Sequence, residues 1–266
     1  MQKIVFNAHY LMYFDTAIAE YWRALALPYE QAMDMLGGDL YVKKASLEYA
    51  GSARFDDQLS IGLKCVRIGS SSIEFAAATF RGDELLVSGS LIYVFADPHT
   101  QTSKPVPVLL RELLTGYEAG ESVCSVSAGT WRDLGQGAGA LRVEVFVGEQ
   151  GVPLELEYDS NDAGAIHAVA RNRLGQVLAT GRLLAPAPSR GKIGRMAVKR
   201  VMRGAGFGRD ILDALTSAAV QRADTEIVLH AQRSAEGFYQ RAGFASRGEP
   251  FDEAGIPHIE MFKRLS

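Results

Sequence analysis

The sequence predicts an α+β protein built in two halves, and three observations carry that prediction. A long amphipathic segment near the start, residues 10–27, places bulky apolar groups at Leu11, Phe14, Ile18, Tyr21, Trp22 and Leu25. That is the three-and-four spacing of a helix face, and it stops at Pro28. The period then changes: residues 39–49, 58–68, 72–81 and 84–96 read as strands of an antiparallel meander, separated by turn signals at 50–57, 69–71 and 82–83. Beyond them, strand and helix patterns alternate to the end of the chain, the mark of a mixed sheet covered by helices.

In order along the chain, the first half closes with a short helix after "DPHTQTSKPVPV", and residues 119–127 read as a connection. A boundary near residue 122 separates domains 1–121 and 122–266. The second half opens with a helix in "AGALRVEVFVGEQ", followed by strands in "AIHAVARN", "QVLATGRLLA" and "GKIGRMAVK". The next helix, "RDILDALTSAAVQRA", repeats apolar groups at Ile211, Leu212, Leu215, Ala218 and Ala219. A strand "EIVLHAQ", a helix "SAEGFYQRAG" and a strand "HIEMFKRL" complete the run, with no internal repeat and no low-complexity stretch.

Composition narrows the partners. The 266 residues are 47% hydrophobic and 22% charged with net charge −3, and the isoelectric point near 6.0 lacks the basic excess of a nucleic-acid binder. The longest apolar runs, such as "SLIYVFA", are far shorter than the roughly 20 residues that cross a bilayer, and "MQKIVFNAHY" is not a signal peptide. The expectation is a soluble cytoplasmic protein with neither nucleic acid nor membrane as partner. Cys65 and Cys124 form no disulfide framework, and His9, His99, His167, His230 and His258 show no metal-ligand spacing, so no metal is expected.

The stretch "VMRGAGFGRD" follows a strand that ends at Lys199 and opens a helix near Gly208. Unpaired main-chain N–H groups and the positive end of a helix dipole then converge on one point, which suits an anion. The same glycines also suit a plain turn between strand and helix. Neither the dinucleotide fingerprint GxGxxG nor a Walker loop is met. Arg203, Gly206 and Gly208 do fit R-x-x-G-x-G after "IGRMAV". At these residues the chain resembles the GCN5-related N-acetyltransferase (GNAT) superfamily. "RVEVFVGEQGVPLELEYDSND", "KIGRMAVKRVMRGAGFG", "LHAQRSAEGFYQRAGF" and "FDEAGIPHIEM" extend the resemblance to its ElaA-like branch over residues 128–264.

The resemblance implies acetyl-CoA or another acyl-CoA as co-substrate and an amine, unidentified, as acceptor. Met196, Ala197 and Val198 would lie along the acyl and pantetheine arm, and Arg203, Gly204, Ala205, Gly206, Phe207, Gly208 and Arg209 around the diphosphate. Tyr239 would protonate the leaving thiolate. The proton acceptor would be Glu149, or a water chain reaching His167 or His230. Asp159 and Asp162 would bind a cationic acceptor or cap a turn.

The first half resembles the hot-dog acyl-CoA thioesterases of the 4-hydroxybenzoyl-CoA and YbgC-like type over residues 3–117. "IVFNAHYLMYFDTAIAEYW", "LEYAGSARFDDQLSI" and "GSLIYVFADPHTQTSKPVP" carry this resemblance. It implies a long helix wrapped by an antiparallel sheet, an oxyanion element at His9, Tyr10 and Leu11, and pairing through the sheets into a homodimer or tetramer. The family's catalytic Asp would fall immediately before Met1. Either the reading frame begins late, or the domain has lost hydrolysis and keeps acyl-CoA binding or dimer formation. Asp15 and Glu20 are substitutes for it or simply solvated and capping groups. The expected protein is therefore an N-acetyltransferase joined to an acyl-CoA thioesterase-like domain, or one joined to a non-catalytic binding or dimerisation module.

Overall fold

The computed structural model describes residues 3–265 and divides into two compact units between Val123 and Cys124. In the first unit, helix α1 (Asn7–Ala24) and helix α2 (Tyr29–Leu36) precede strands β1 (Asp39–Tyr49), β2 (Ser60–Ile68), β3 (Ser72–Arg81) and β4 (Glu84–Ala96), and helix α3 (Val108–Glu118) follows. The four strands form an antiparallel sheet in the order β1-β4-β3-β2, as in the hot-dog arrangement. Helix α1 buries Tyr10, Phe14, Ile18, Tyr21 and Trp22, one stripe at helical period. It approaches the sheet closely because β4 carries Gly89: a Cβ there would lie 2.7 Å from the Phe14 ring and 3.0 Å from the Ser46 carbonyl. The Tyr21 hydroxyl donates to Glu118 Oε1 at 2.6 Å, and the same oxygen accepts the Cys65 N–H at 2.7 Å. One carboxylate thus ties α1, β2 and α3 together. Burial, then the bond to Glu118, pushes the Tyr21 hydroxyl well above its usual range.

The second unit contains β5 (Cys124–Gly129), α4 (Trp131–Arg142), a π-helical stretch (Val143–Glu149), α5 (Leu154–Glu157) and a 3-10 turn (Ser160–Gly164). Strands β6 (Ile166–Asn172), β7 (Val177–Ala187) and β8 (Arg190–Val198) follow, then α6 (Phe207–Gln221), β9 (Glu226–Gln232), α7 (Glu236–Arg241), β10 (Ala245–Glu253) and β11 (Ile256–Arg264). The seven strands form one mixed sheet in the order β10-β11-β9-β8-β7-β6-β5, antiparallel except between β8 and β9. Helices α4 and α6 pack on the sheet over β6 to β8. No helix among the described residues is long and apolar enough to cross a membrane.

Four elements differ from the sequence reading. Pro28, read as a stop, is also the N-cap of α2, since its fixed φ of −66° suits a helix entry, and Gly37 ends that helix at φ 72°. Residues 124–129, read as connection, form β5, a short edge strand of small residues. The helix expected in residues 138–150 begins earlier, at Trp131, and becomes π-helical from Val143. Gly135 within it lies under the Trp131 ring, where a Cβ would come within 2.6 Å of a ring atom. Strand β10 was not expected, because none of its side chains is buried.

Gly89→Ala is expected to destabilise the first unit by about 1–3 kcal/mol through overpacking against Phe14. Urea unfolding of the full chain, followed by a probe in that unit, measures it; an unchanged midpoint would contradict the packing described.

Candidate active site

The second unit is organised around a break in its sheet. Strand β7 pairs Thr180 with Ala197 and Arg182 with Gly194, so Gly181 alone stands opposite Arg195 and Met196. This is a β-bulge, and Arg195 adopts φ 52°, a conformation uncommon outside glycine. Gly181 has no side chain because a Cβ would lie 2.6 Å from Met196 Sδ and 2.8 Å from Leu215. On its other side β8 pairs with β9 only from Arg190 to Ile193, although the two strands run on to Val198 and Gln232. Past Ile193 the strands separate, and main-chain groups of β8 are released from the ladder.

The loop after β8 turns into helix α6 through two left-handed glycines. A 3-10 turn (Arg200–Met202) leads to Gly204 at φ 87° and Gly206 at φ 96°, and Gly206 is the N-cap of α6 with no side chain capping it. The N–H groups of Arg209 and Asp210 both bond the Gly206 carbonyl, at 2.8 and 3.2 Å. Those of Gly204, Gly206, Phe207 and Gly208 make no backbone bond among the described residues. Gly208 brings α6 against β8 and α7, with its Cβ position 3.4 Å from Val198 and 3.6 Å from the Phe238 ring.

Where the strands part lies a cleft of about 620 Å³, whose lining includes Gly194, Met196, Asp159, His230, Tyr239, Glu253 and His258. Tyr239 is 8% exposed, and burial pushes its hydroxyl up to about 12. His230 Nδ1 bonds Glu253 Oε2 at 2.8 Å. Burial would raise the Glu253 carboxyl, but the bond to His230 and the nearby charges of His230, His258 and Lys192 hold it below the usual range. His258 Nδ1 bonds the Ile256 carbonyl at 2.7 Å, which fixes Nδ1 as the protonated nitrogen. Phe251 packs between the two imidazoles, edge-on to His230 and stacked on His258.

Beneath the cleft is a buried ionic cluster. Arg142, 1% exposed, bonds Glu157 Oε1, the Glu157 carbonyl at 2.7 Å, and Asp162 at 2.9 and 3.1 Å. Arg182 bonds Asp162 at 2.7 Å and Asp159 at 2.8 and 3.0 Å. Arg195 reaches the Leu156 carbonyl at 2.7 Å, which pins the bulge to the loop that bounds the cleft. Burial acts to raise Asp159 and Asp162, yet the bonds from Arg182 and Arg142 outweigh it, bringing Asp159 down to about 2 and Asp162 below its ordinary value.

The structure brings several of the sequence candidates together and separates others. Met196 and Tyr239 line the cleft; Ala197 points the opposite way, into the core with Leu141 and Val145. Arg203 pairs with Glu149 at 2.6 Å beside the glycine loop, and Glu149 is not a cleft residue. Arg209 pairs with Asp213. His167 is buried behind the cleft, with Nε2 3.0 Å from the Asp162 carbonyl, and burial lowers its pKa. The carboxylates of Asp159 and Asp162 are engaged by arginines of this chain, and Asp159 also caps the 3-10 turn by accepting from Asn161 N–H. Glu253, His258 and Lys192 were not singled out in the sequence. The pairing of His258 opposite Gln232, and of Glu260 opposite His230, brings His258 diagonally across from His230 only once β9 and β11 are aligned.

In the first unit, the His9 N–H bonds the Phe6 carbonyl at 2.9 Å, Tyr10 is buried with its hydroxyl accepting the Ala53 N–H at 2.8 Å, and Leu11 is exposed. Leu11 lines a groove of about 290 Å³ with Ala8, Met12, Asp15, Val42, Ala45, Leu91 and Tyr93. Asp15 is thus the carboxylate of that groove. Burial, then the Asp15 charge, pushes the Tyr93 hydroxyl up to about 12. Glu20 pairs with Arg23 on the exposed side of α1. Among the described residues no group of His, Cys, Asp and Glu is arranged to hold a metal ion.

A parallel strand pair that splits ahead of a glycine loop and helix is the architecture of an acetyltransferase fold, and residues 138–265 match the family described as acetyltransferase (GNAT) domain. The chain belongs to that family through its second half, and residues 2–88 match the thioesterase superfamily. It is 38% identical to the uncharacterized N-acetyltransferase YjcF of Bacillus subtilis over 46% of this chain and 87% of that protein. It is 36% identical to the UPF0039 protein sll0451 of Synechocystis over 47% of this chain and 83% of the other. A crystal structure of a Lactobacillus plantarum protein with an N-acetyltransferase designation superposes with TM-score 0.52 at 30% identity, covering 55% of this chain and all of that one.

Asp162→Asn is expected to lower stability by about 1–3 kcal/mol, because Arg142 and Arg182 would lose the buried carboxylate they share and keep only Glu157 and Asp159 as charged partners. In the intact protein, Asp159 and Asp162 have lower values folded than unfolded, so their contribution is present above about pH 4 and lost as pH falls toward about 2. Thermal melts of both proteins between those limits check this; a wild-type melting temperature flat across that range would contradict it.

Proposed function

We propose that the second unit transfers an acyl group, acetyl in the first instance, from coenzyme A to an amine, and that the separation of β8 from β9 beyond Ile193 is what supports this reading. The released N–H groups of β8 at Met196 and Val198 would hold the acyl carbonyl and pantetheine arm, and the N–H groups of Gly204, Gly206, Phe207 and Gly208 the diphosphate. Arg203 adds positive charge to the loop. Glu149, already bonded to Arg203, then acts as its positioning partner. Holding the two substrates in one cleft converts a bimolecular reaction into a local one.

Transfer needs a neutral amine and a protonated leaving group. His230 takes the acceptor's proton on Nε2, with Nδ1 fixed by Glu253. Tyr239 gives a proton to the thiolate, since a hydroxyl raised to about 12 stays protonated at neutral pH. Tyr239→Phe is expected to lower kcat about 10²-fold or more with little change in acetyl-CoA affinity. Steady-state kinetics with a titration of acetyl-CoA measures both, and an unchanged kcat removes Tyr239 from the mechanism.

The groove beside Asp15 favours a second activity, hydrolysis of an acyl-CoA by the first unit, in which the carboxylate activates water and apolar walls hold the acyl chain. The edge strand β1, with Tyr41, Val42 and Tyr49 exposed, would pair two copies. Thiol release from acyl-CoA without any amine, abolished by Asp15→Asn in a protein that light scattering finds dimeric, is the expected result. A dimer that releases no thiol without amine assigns the first unit to binding or assembly.

A further inference from the structure

The charges that line the acetyltransferase cleft are almost fully matched by one another. Arg182 is bonded to Asp159 and Asp162, and Arg195 lies 3.5 Å from Asp159 and 3.6 Å from Glu157. Among the described residues, Lys192 differs from the other cations of the cleft: no carboxylate lies within ion-pair distance of it and no hydrogen bond holds its ammonium group. It is half-buried, and its neighbours along the cleft wall include the apolar Leu184 and Ile193.

The strand register places this lysine relative to the chemistry. Strands β8 and β9 pair Lys192 with Val228, so Lys192 and His230, two residues further along β9, project from the same face of adjacent strands. Their offset along the sheet is one side-chain repeat, about 6–7 Å. Glu253, bonded to His230, feels the Lys192 charge as well as that of His258. The cleft therefore presents a proton acceptor with its carboxylate on one side and, about one side-chain repeat away, an ammonium group that no carboxylate reaches within ion-pair distance. An acceptor carrying only positive charge would enter beside a cation that has no bonded carboxylate. An acceptor carrying a carboxylate a few bonds from its amine would match both groups.

We propose, on the basis of the transferase reading above, that the acceptor is a small amino-acid-like zwitterion, its amine presented to His230 and its carboxylate held by Lys192. Lys192 in this role is a specificity determinant: it selects for the anion and sets the distance of the amine from the imidazole.

The test is amine-stimulated thiol release from acetyl-CoA by the full chain, with the common amino acids each compared with its own carboxamide, and with benzylamine and putrescine as amines that carry no anion. At least one amino acid is expected to exceed its carboxamide by about 10-fold or more in kcat/KM, the size of effect a charged hydrogen bond gives. Lys192→Gln is expected to erase that ratio through KM and Lys192→Arg to retain part of it, with acetyl-CoA binding as the control for folding. Transfer to carboxamides or plain amines as good as to amino acids, or a ratio that survives Lys192→Gln, overturns the proposal and leaves the transferase reading standing. Absence of amine-stimulated release with every acceptor overturns both.

Discussion

The bulge at Arg195 is the constraint on which the second unit depends. A non-glycine residue with positive φ costs on the order of 1 kcal/mol or more of backbone energy and persists only where its surroundings hold it. Here Gly181 leaves room on one side, and the guanidinium of Arg195 is anchored to the loop carbonyl of Leu156 on the other. Pairing of β8 with β9 ends at Ile193, just before the extra residue, and from that point the sheet has two strands that no longer bond each other. The gap between β8 and β9, the cleft and the approach to the glycine loop all lie at this one irregularity.

Anchoring the bulge requires a rigid neighbour, which explains why so much charge is buried under the cleft. The loop from Leu154 to Gly164 has little apolar surface to pack: Leu154, Leu156 and Tyr158 are largely exposed. It is held by Arg142 and Arg182, which bond its carboxylates and a main-chain carbonyl. Such a network is weak as a source of net stability but strict in geometry, since each partner is fixed by two or more others. The Trp131 and Tyr158 rings flank the Arg142 guanidinium at 5.3 and 5.8 Å, limiting its movement further. Positional accuracy at the cleft wall therefore comes from ionic contacts, while the helices behind the sheet are held by ordinary apolar packing.

Local signals in the sequence carried far, and long-range ones did not. The glycine loop was legible because its residues are consecutive and glycine there answers a backbone requirement. The α1 stripe was legible because period alone marks a buried helix face. Helix α4 was obscured by Gly135, Gly137 and Gly139, whose reason is close packing beneath Trp131 and beside Tyr158 and Arg171. Asp159 and Asp162 were visible as acids, but the arginines that engage them lie at 142 and 182, and no spacing rule joins those positions. His258 stood in plain view in "GIPHIEM", yet its tautomer depends on a carbonyl two residues away and its setting on the alignment of β9 with β11.

The two cysteines bear on how this protein can be studied. Cys65 is buried, and desolvation followed by the Glu118 charge pushes its thiol up to about 11; burial also raises Cys124. Since the thiolate is the reactive form, burial and a raised pKa hold Cys65 back from disulfide reagents near neutral pH, whereas the partly exposed Cys124 is the more accessible of the two. Any protein background in a colour assay for liberated coenzyme A therefore comes first from Cys124, and replacing that one residue is the control that removes it.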